Sequence, residues 1–93
     1  MKQTIDKKVY DTTKDTLLGF IYIGHFGQPD GYEEQLFVNK RGQHYIYGIG
    51  GADSPYPAPE IRLISEEAAE IMEREEHYKK GKILMQIPGD GIN

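Results

Sequence analysis

Apolar and polar positions alternate through most of this chain, and the spacing lengthens to that of a helix only after Ile64. In Glu34-Gln35-Leu36-Phe37-Val38, Leu36 and Val38 point to one side of a strand. Gln35, Phe37 and Asn39 point to the other. In Gln43-His44-Tyr45-Ile46-Tyr47, Tyr45 and Tyr47 share one face, and His44 and Ile46 share the opposite one. Between the two runs, Asn39-Lys40-Arg41-Gly42 suits a type I turn, with Gly42 supplying the positive φ that closes it. The pattern predicts a hairpin of defined register, since a slip of one residue would exchange its faces.

The same pattern extends outward from the hairpin. Val9-Tyr10 reads as a short strand running into the polar turn Asp11 to Thr16. Leu17 to Ile23 is almost continuously apolar and β-rich, which predicts a central strand. Gly24 to Tyr32 carries three glycines, Pro29 and Asp30-Gly31, and reads as a loop. Gly48 to Pro59 is expected to be irregular, because Pro55, Pro57 and Pro59 remove ladder donors. Glu60 to Ile64 predicts a last short strand. Ser65 then caps a helix whose first turn holds Glu66 and Glu67, where the positive dipole end favours acids. Ile64, Ala68, Ile71, Met72 and Tyr78 follow helical spacing and are expected to pack on the sheet. Gly81 is the expected stop, after Lys79 and Lys80. The predicted fold class is α+β: a small antiparallel sheet of about four strands with one helix across a face.

Ninety-three residues make one domain, 1–93, of which 82–93 reads as an exposed or partner-pairing tail. A chain of this length buries only about 60–65% of its unfolded surface, so its core is thin. Seven Tyr and three Phe, without Trp, supply much of the apolar volume. The absence of Cys removes disulfides, thiolate zinc sites and a cysteine nucleophile together. No run reaches the roughly 18 apolar residues of a membrane span. The lysine-bearing start lacks an apolar h-region, so a cytoplasmic location in a host cell is expected. The net charge of −4, with basic residues scattered, argues against direct nucleic-acid binding and for basic partners.

Catalytic signatures are missing. Gly48-Ile49-Gly50-Gly51 leads into Asp53 and a proline-spaced segment rather than a helix, so it lacks the context of a phosphate-binding loop. It reads instead as a place where backbone passes close to backbone. His25, His44 and His77 show no metal-ligand spacing. Ser54 is not in a nucleophile elbow. No cofactor is expected. The sharpest electrostatic feature is the stretch from Ser65 to His77. Its six glutamates against Arg74 leave a local charge of −5. Such a run is commonly a solvated face. It also suits an acidic ridge that docks on a basic surface. Tyr45, Tyr47 and Tyr56 lie near the glycine-rich stretch, where they suit either an interface or core filling. The apolar tail Ile83 to Ile87 suits pairing with its own sheet or with a second copy.

The order Tyr10-Asp11-Thr12, Glu34…Leu36-Phe37, Lys40-x-Gly42, Tyr45-x-Tyr47-Gly48-x-Gly50-Gly51, Ser54-x-Tyr56 and Ile64-Ser65-Glu66-Glu67-Ala68 resembles a known pattern. It is similar to small proteins carried by phages and mobile elements of Gram-positive bacteria. The resemblance covers Tyr10 to Glu73, and the tail after Gly81 departs from it. It implies a setting in which small acidic proteins counter host defence, anti-CRISPR proteins among them, by covering a nucleic-acid-binding surface.

The expected function is therefore a non-enzymatic protein-binding inhibitor. Its expected contact residues are Glu66, Glu67, Glu70, Glu73, Tyr45, Tyr47, Asp53 and Tyr56. Two alternatives stay open. One is a self-associating accessory module that dimerises through Ile83–Ile87. The other is a small-ligand binder built on the Gly48–Tyr56 loop and His44.

Overall fold

The fold follows from a computed structural model, which describes residues 1–24 and 28–81. The first two strands, β1 (Lys2–Ile5) and β2 (Lys8–Asp11), pair with each other alone. Ile5 faces Lys8 across a two-residue turn, Asp6-Lys7, in which both residues adopt positive φ, 52° and 68°. That left-handed pair matches the right-handed strand twist. The alternating pattern did not signal β1, because neither turn residue is a glycine.

The remaining strands form one antiparallel sheet in the order β6-β5-β4-β3-β7. They are β3 (Thr16–Ile23), β4 (Tyr32–Val38), β5 (His44–Gly50), β6 (Glu60–Ile64) and β7 (Lys79–Lys80). The predicted β4–β5 hairpin is present. Asn39 Oδ1 accepts from the backbone N–H of Arg41 at 3.0 Å and of Gln43 at 2.9 Å, and Gly42 sits at φ 82°. The architecture is α+β, with seven strands in two sheets among the described residues rather than about four in one.

The sheet is covered on both faces, which explains two departures from the sequence pattern. On one face, Ile21 and Leu36 pack with Ala69 and Met72 of α1 (Glu66–Glu73), joined by Leu18, Ile46, Ile64 and Tyr78. On the other, Phe37, Tyr45 and Ile61 pack under Tyr10 of β2, with Ile5, Leu17 and Tyr47 around them. The Phe37 and Tyr45 rings stack at 5.4 Å, and Tyr10 meets Tyr45 edge-on at 5.3 Å. The apolar run Leu17–Ile23 thus reflects two covered faces, not a central position. β4 is the central strand, and β3 lies next to the edge. A bulge at Leu18, between the pairs Leu17–Phe37 and Gly19–Leu36, adjusts the alternation there.

The helix is shorter than the spacing predicts and turns a different side inward. Ser65 caps it, its Oγ accepting from Ala68 N–H at 3.0 Å. It ends at Glu73, with Arg74 as the C-cap, and the chain then turns into β7, which pairs with Gly19 and Phe20 of β3. The last helical turn holds no basic residue. Glu73, Glu75 and Glu76 would crowd the negative dipole end of a longer helix. Gly81, at φ 82°, follows the strand instead of ending the helix. Ala69 and Met72 are buried, whereas Ala68 and Ile71 face outward. With only two turns, an i, i+3 pair suffices to cover the sheet.

Candidate functional site

The helix lies across the sheet and presents its carboxylates to solvent. Glu66, Glu67, Glu70 and Glu73 are all exposed, as are Glu75 and Glu76 beyond the helix end. Among the described residues, the one ion pair joins Arg62 Nε to Glu60 at 2.6 Å, so none of these helix carboxylates is neutralised by a close cation. Ile71 stands among them, 56% exposed. Residues three and four apart share a helix face, so Ile71 lies beside Glu67. The ridge is therefore acidic, with one exposed apolar side chain beside it.

The expected tyrosines do not join this ridge. Tyr45 is fully buried, and its hydroxyl donates to Asp15 Oδ2 at 2.6 Å. Burial, then the bond to the Asp15 carboxylate, pushes its ionisation well above the ordinary tyrosine range. Tyr56 is 1% exposed and donates to Glu34 Oε2. Its ring lies against Gly48, and the Arg62 guanidinium sits 4.5 Å from the ring centre. Burial, then Glu34, raises its ionisation too. Both residues belong to the packing and are removed from the expected contact set. Tyr47 is half-buried on the face opposite the helix. Asp53 is exposed in the loop after β5, where its N–H donates to the Pro29 carbonyl at 2.8 Å. The expected set thus divides into a helix ridge on one face and a loop-and-strand region elsewhere.

The glycine-rich stretch does what close backbone passage requires, but as strand rather than loop up to Gly50. A Cβ at Gly48 would overlap the Tyr56 ring, and one at Gly51 would overlap the Pro29 carbonyl. Gly51 N–H donates to Gly31 O at 3.0 Å and Ser54 N–H to Gly51 O at 3.1 Å. The Gly51-to-Gly31 bond and the Asp53-to-Pro29 bond pin the 28–31 and 51–54 segments to each other.

Beside them opens a cleft of about 500 Å³ that sequence reasoning missed. Its floor is a row across three strands: Tyr22 of β3 pairs with Glu33 of β4, which pairs with Ile49 of β5. Among the described residues, Gln28, Pro29, Gly31, Gly50, Gly51 and Ala52 also line it. Gln35 Nε2 donates to Glu33 Oε2 at 2.9 Å. Burial and the neighbouring Glu33 push the pKa of Tyr22 above the ordinary tyrosine value. The signal was present in the sequence as the period-two positions 22, 33 and 49. It becomes visible only once register aligns them.

Shallower clefts also lie among the described residues. One, of about 280 Å³, gathers Lys2, Lys14, Lys40 and Arg41 around Asp11 and Asp15. The hydroxyl and the backbone N–H of Thr13 hold Asp11 below its ordinary ionisation range, aided by Lys14 and Lys2. The other, of about 320 Å³, includes His44, Leu63 and Glu66. No group of three or more His, Asp or Glu placed to hold a metal ion occurs among the described residues. No helix among them is long and apolar enough to cross a membrane. The tail segment Ile83–Ile87 and His25 lie outside the described residues. No protein-family model matches the chain, and searches of curated proteins and of solved structures find no significant match.

Proposed function

We propose that this protein is a non-enzymatic, protein-binding inhibitor of phage or mobile-element origin. It covers a basic, nucleic-acid-binding surface of a host defence complex, of which CRISPR-Cas is the leading case. The observation that carries this reading is the exposed helix ridge: Glu66, Glu67, Glu70 and Glu73 without close cations among the described residues, with the exposed Ile71 beside Glu67. Uncompensated carboxylates on a small rigid scaffold attract a basic surface, speed encounter and lose strength with salt. The apolar point adds a short-range contact that screening does not weaken. The turn-and-cap pattern from Tyr10 to Glu73 supports the phage or mobile-element setting.

The test is affinity capture of the tagged chain from a Gram-positive host lysate at low salt and at about 0.5 M salt, where the screening length falls to a few ångströms. A nucleic-acid-processing complex should be retained at low salt and released at high salt. The quadruple variant Glu66→Lys, Glu67→Lys, Glu70→Lys, Glu73→Lys should fold, since all four side chains are exposed, and should retain nothing. Full retention by that folded variant rules the ridge out.

A further inference from the structure

We propose that the cleft between the Asp11–Asp15 turn and the Asn39–Gly42 turn is an anion seat that takes one phosphomonoester group. The inference goes beyond the helix ridge and uses none of its carboxylates. Three separate segments bring four cations to this cleft. Lys2 opens β1 opposite Asp11, Lys14 lies in the turn into β3, and Lys40 and Arg41 sit in the β4–β5 turn. Among the described residues the one ion pair is Arg62 with Glu60, so none of these four cations is paired. The two carboxylates of the cleft are engaged from within the fold. Asp15 Oδ2 accepts from the Tyr45 hydroxyl at 2.6 Å and from Asp11 N–H at 3.0 Å. Asp11 Oδ1 accepts from the Thr13 hydroxyl at 2.6 Å and from Thr13 N–H at 2.9 Å. Four cations against these two carboxylates leave the lining at a formal +2, in a chain whose net charge is −4.

A phosphomonoester matches that lining better than a carboxylate does. It carries a charge of about −1.5 to −2 at neutral pH and offers three acceptor oxygens, so one group neutralises the excess. A carboxylate would neutralise half of it. Lysine binds phosphate as a point charge, and the Arg41 fork adds paired donors. The frame is set before any ligand arrives. Asn39 Oδ1 holds the N–H groups of Arg41 and Gln43, and its Nδ2 donates to Gln43 Oε1 at 3.0 Å. Lys14 and Asp15 N–H donate to Asp11 O at 3.1 and 2.9 Å. Binding therefore orders the cationic side chains and little of the backbone. Val9, 47% exposed, also lines the cleft and offers an apolar contact to whatever carries the phosphate.

The probes are the capped tripeptide Gly-phosphoserine-Gly, its serine and glutamate counterparts, and inorganic phosphate. Each is titrated into the full 15N-labelled chain at low salt and about pH 7.5, where phosphoserine is a dianion. The phosphopeptide should shift the amides of Lys14, Lys40 and Arg41 saturably, and the glutamate peptide should bind about tenfold more weakly or worse. Lys14→Gln with Lys40→Gln should weaken the phosphopeptide at least about tenfold, with the amide fingerprint unchanged elsewhere. Lys79→Gln with Lys80→Gln removes the same charge from an exposed pair outside the cleft and should leave binding within about twofold. Inorganic phosphate binding as tightly as the peptide supports a free phosphate as the occupant. Tighter binding of the peptide supports a phosphorylated side chain of a partner. Equal binding of the serine or glutamate peptide, or no saturation, overturns the seat. Equal losses in the two double variants overturn it too, because they would trace binding to overall charge.

Discussion

Gly48→Ala is the sharpest test of the packing, because local and tertiary effects predict opposite signs. Gly48 lies inside β5, where replacing Gly by Ala would ordinarily stabilise a strand by roughly 0.5–1 kcal/mol. The added Cβ would instead overlap Cδ1, Cε1 and Cζ of Tyr56. That ring is fully buried, with Arg62 beside it at 4.5 Å and the Tyr32 ring at 5.8 Å. It has no exposed end to swing, and its hydroxyl is tied to Glu34. Overpacking of this kind costs about 1–3 kcal/mol. Straining a hydrogen bond to a charged acceptor adds about 1 kcal/mol. Against the strand gain, a net loss of about 1–3.5 kcal/mol results, or a Tm lower by about 4–28 °C in a domain of this size. Thermal unfolding followed by circular dichroism measures it directly. In a Tyr56→Ala background the same Gly48→Ala change should turn neutral or stabilising, which a double-mutant cycle detects. A wild-type background in which Gly48→Ala raises Tm refutes the contact between Gly48 and the Tyr56 ring.

Three further outcomes are expected. Ser65→Ala removes the helix cap and should lower stability by about 1 kcal/mol in denaturant titration; an unchanged midpoint would mean the Ala68 N–H finds an equal partner. Met72→Ala should cost about 2 kcal/mol or more, while Ile71→Ala stays within about 0.5 kcal/mol, and a reversed order would put Ile71 on the sheet side after all. Tyr45 and Tyr56 ionise less readily folded than unfolded, so their contribution is complete below the ordinary tyrosine value of 10 and is lost as pH rises through their raised folded values. Tm should therefore be level from neutral pH to about 10 and fall steeply above it, and the fall should be shallower in Tyr45→Phe. An equally steep alkaline fall in that variant would trace the loss to other groups.

Local chemistry was legible in the chain, and tertiary partnership was not. The β4–β5 hairpin followed from alternation plus Asn39 and Gly42, because its turn bonds lie within five residues. The Ser65 cap is likewise a contact three residues long. By contrast, β5 runs on into Gly48 and Gly50, which propensity alone reads as loop. Those glycines stay extended because Tyr56, and Ser54 with Tyr32, occupy the volume that side chains would take. The burial of Tyr45 and Tyr56 was undecidable for the same reason. Each is held by a carboxylate 30 or 22 residues away, Asp15 and Glu34. The β1 strand escaped notice because Asp6-Lys7 lacks the glycine that usually marks a two-residue turn. β7 escaped because two lysines carry no strand pattern and gain it only from the β3 edge.

The position of the open cleft follows from the lengths of the covering pieces. β3, β4 and β5 run seven or eight residues, about 23–26 Å of extended chain. The β1–β2 hairpin that covers one face has four-residue strands, about 13 Å long, and its buried contact is Tyr10 on the Phe37–Tyr45 end. It therefore cannot also cover the far end of that face, where Tyr22, Glu33 and Ile49 lie. On the opposite face the eight-residue helix is about 12 Å long, and the remaining area is filled by Tyr56 folded back over Gly48. One face is thus closed by a loop tyrosine, and among the described residues the other carries the cleft at the same end. That end is the one whose row carries a carboxylate between an aromatic and an aliphatic neighbour, a composition poorly suited to an internal core.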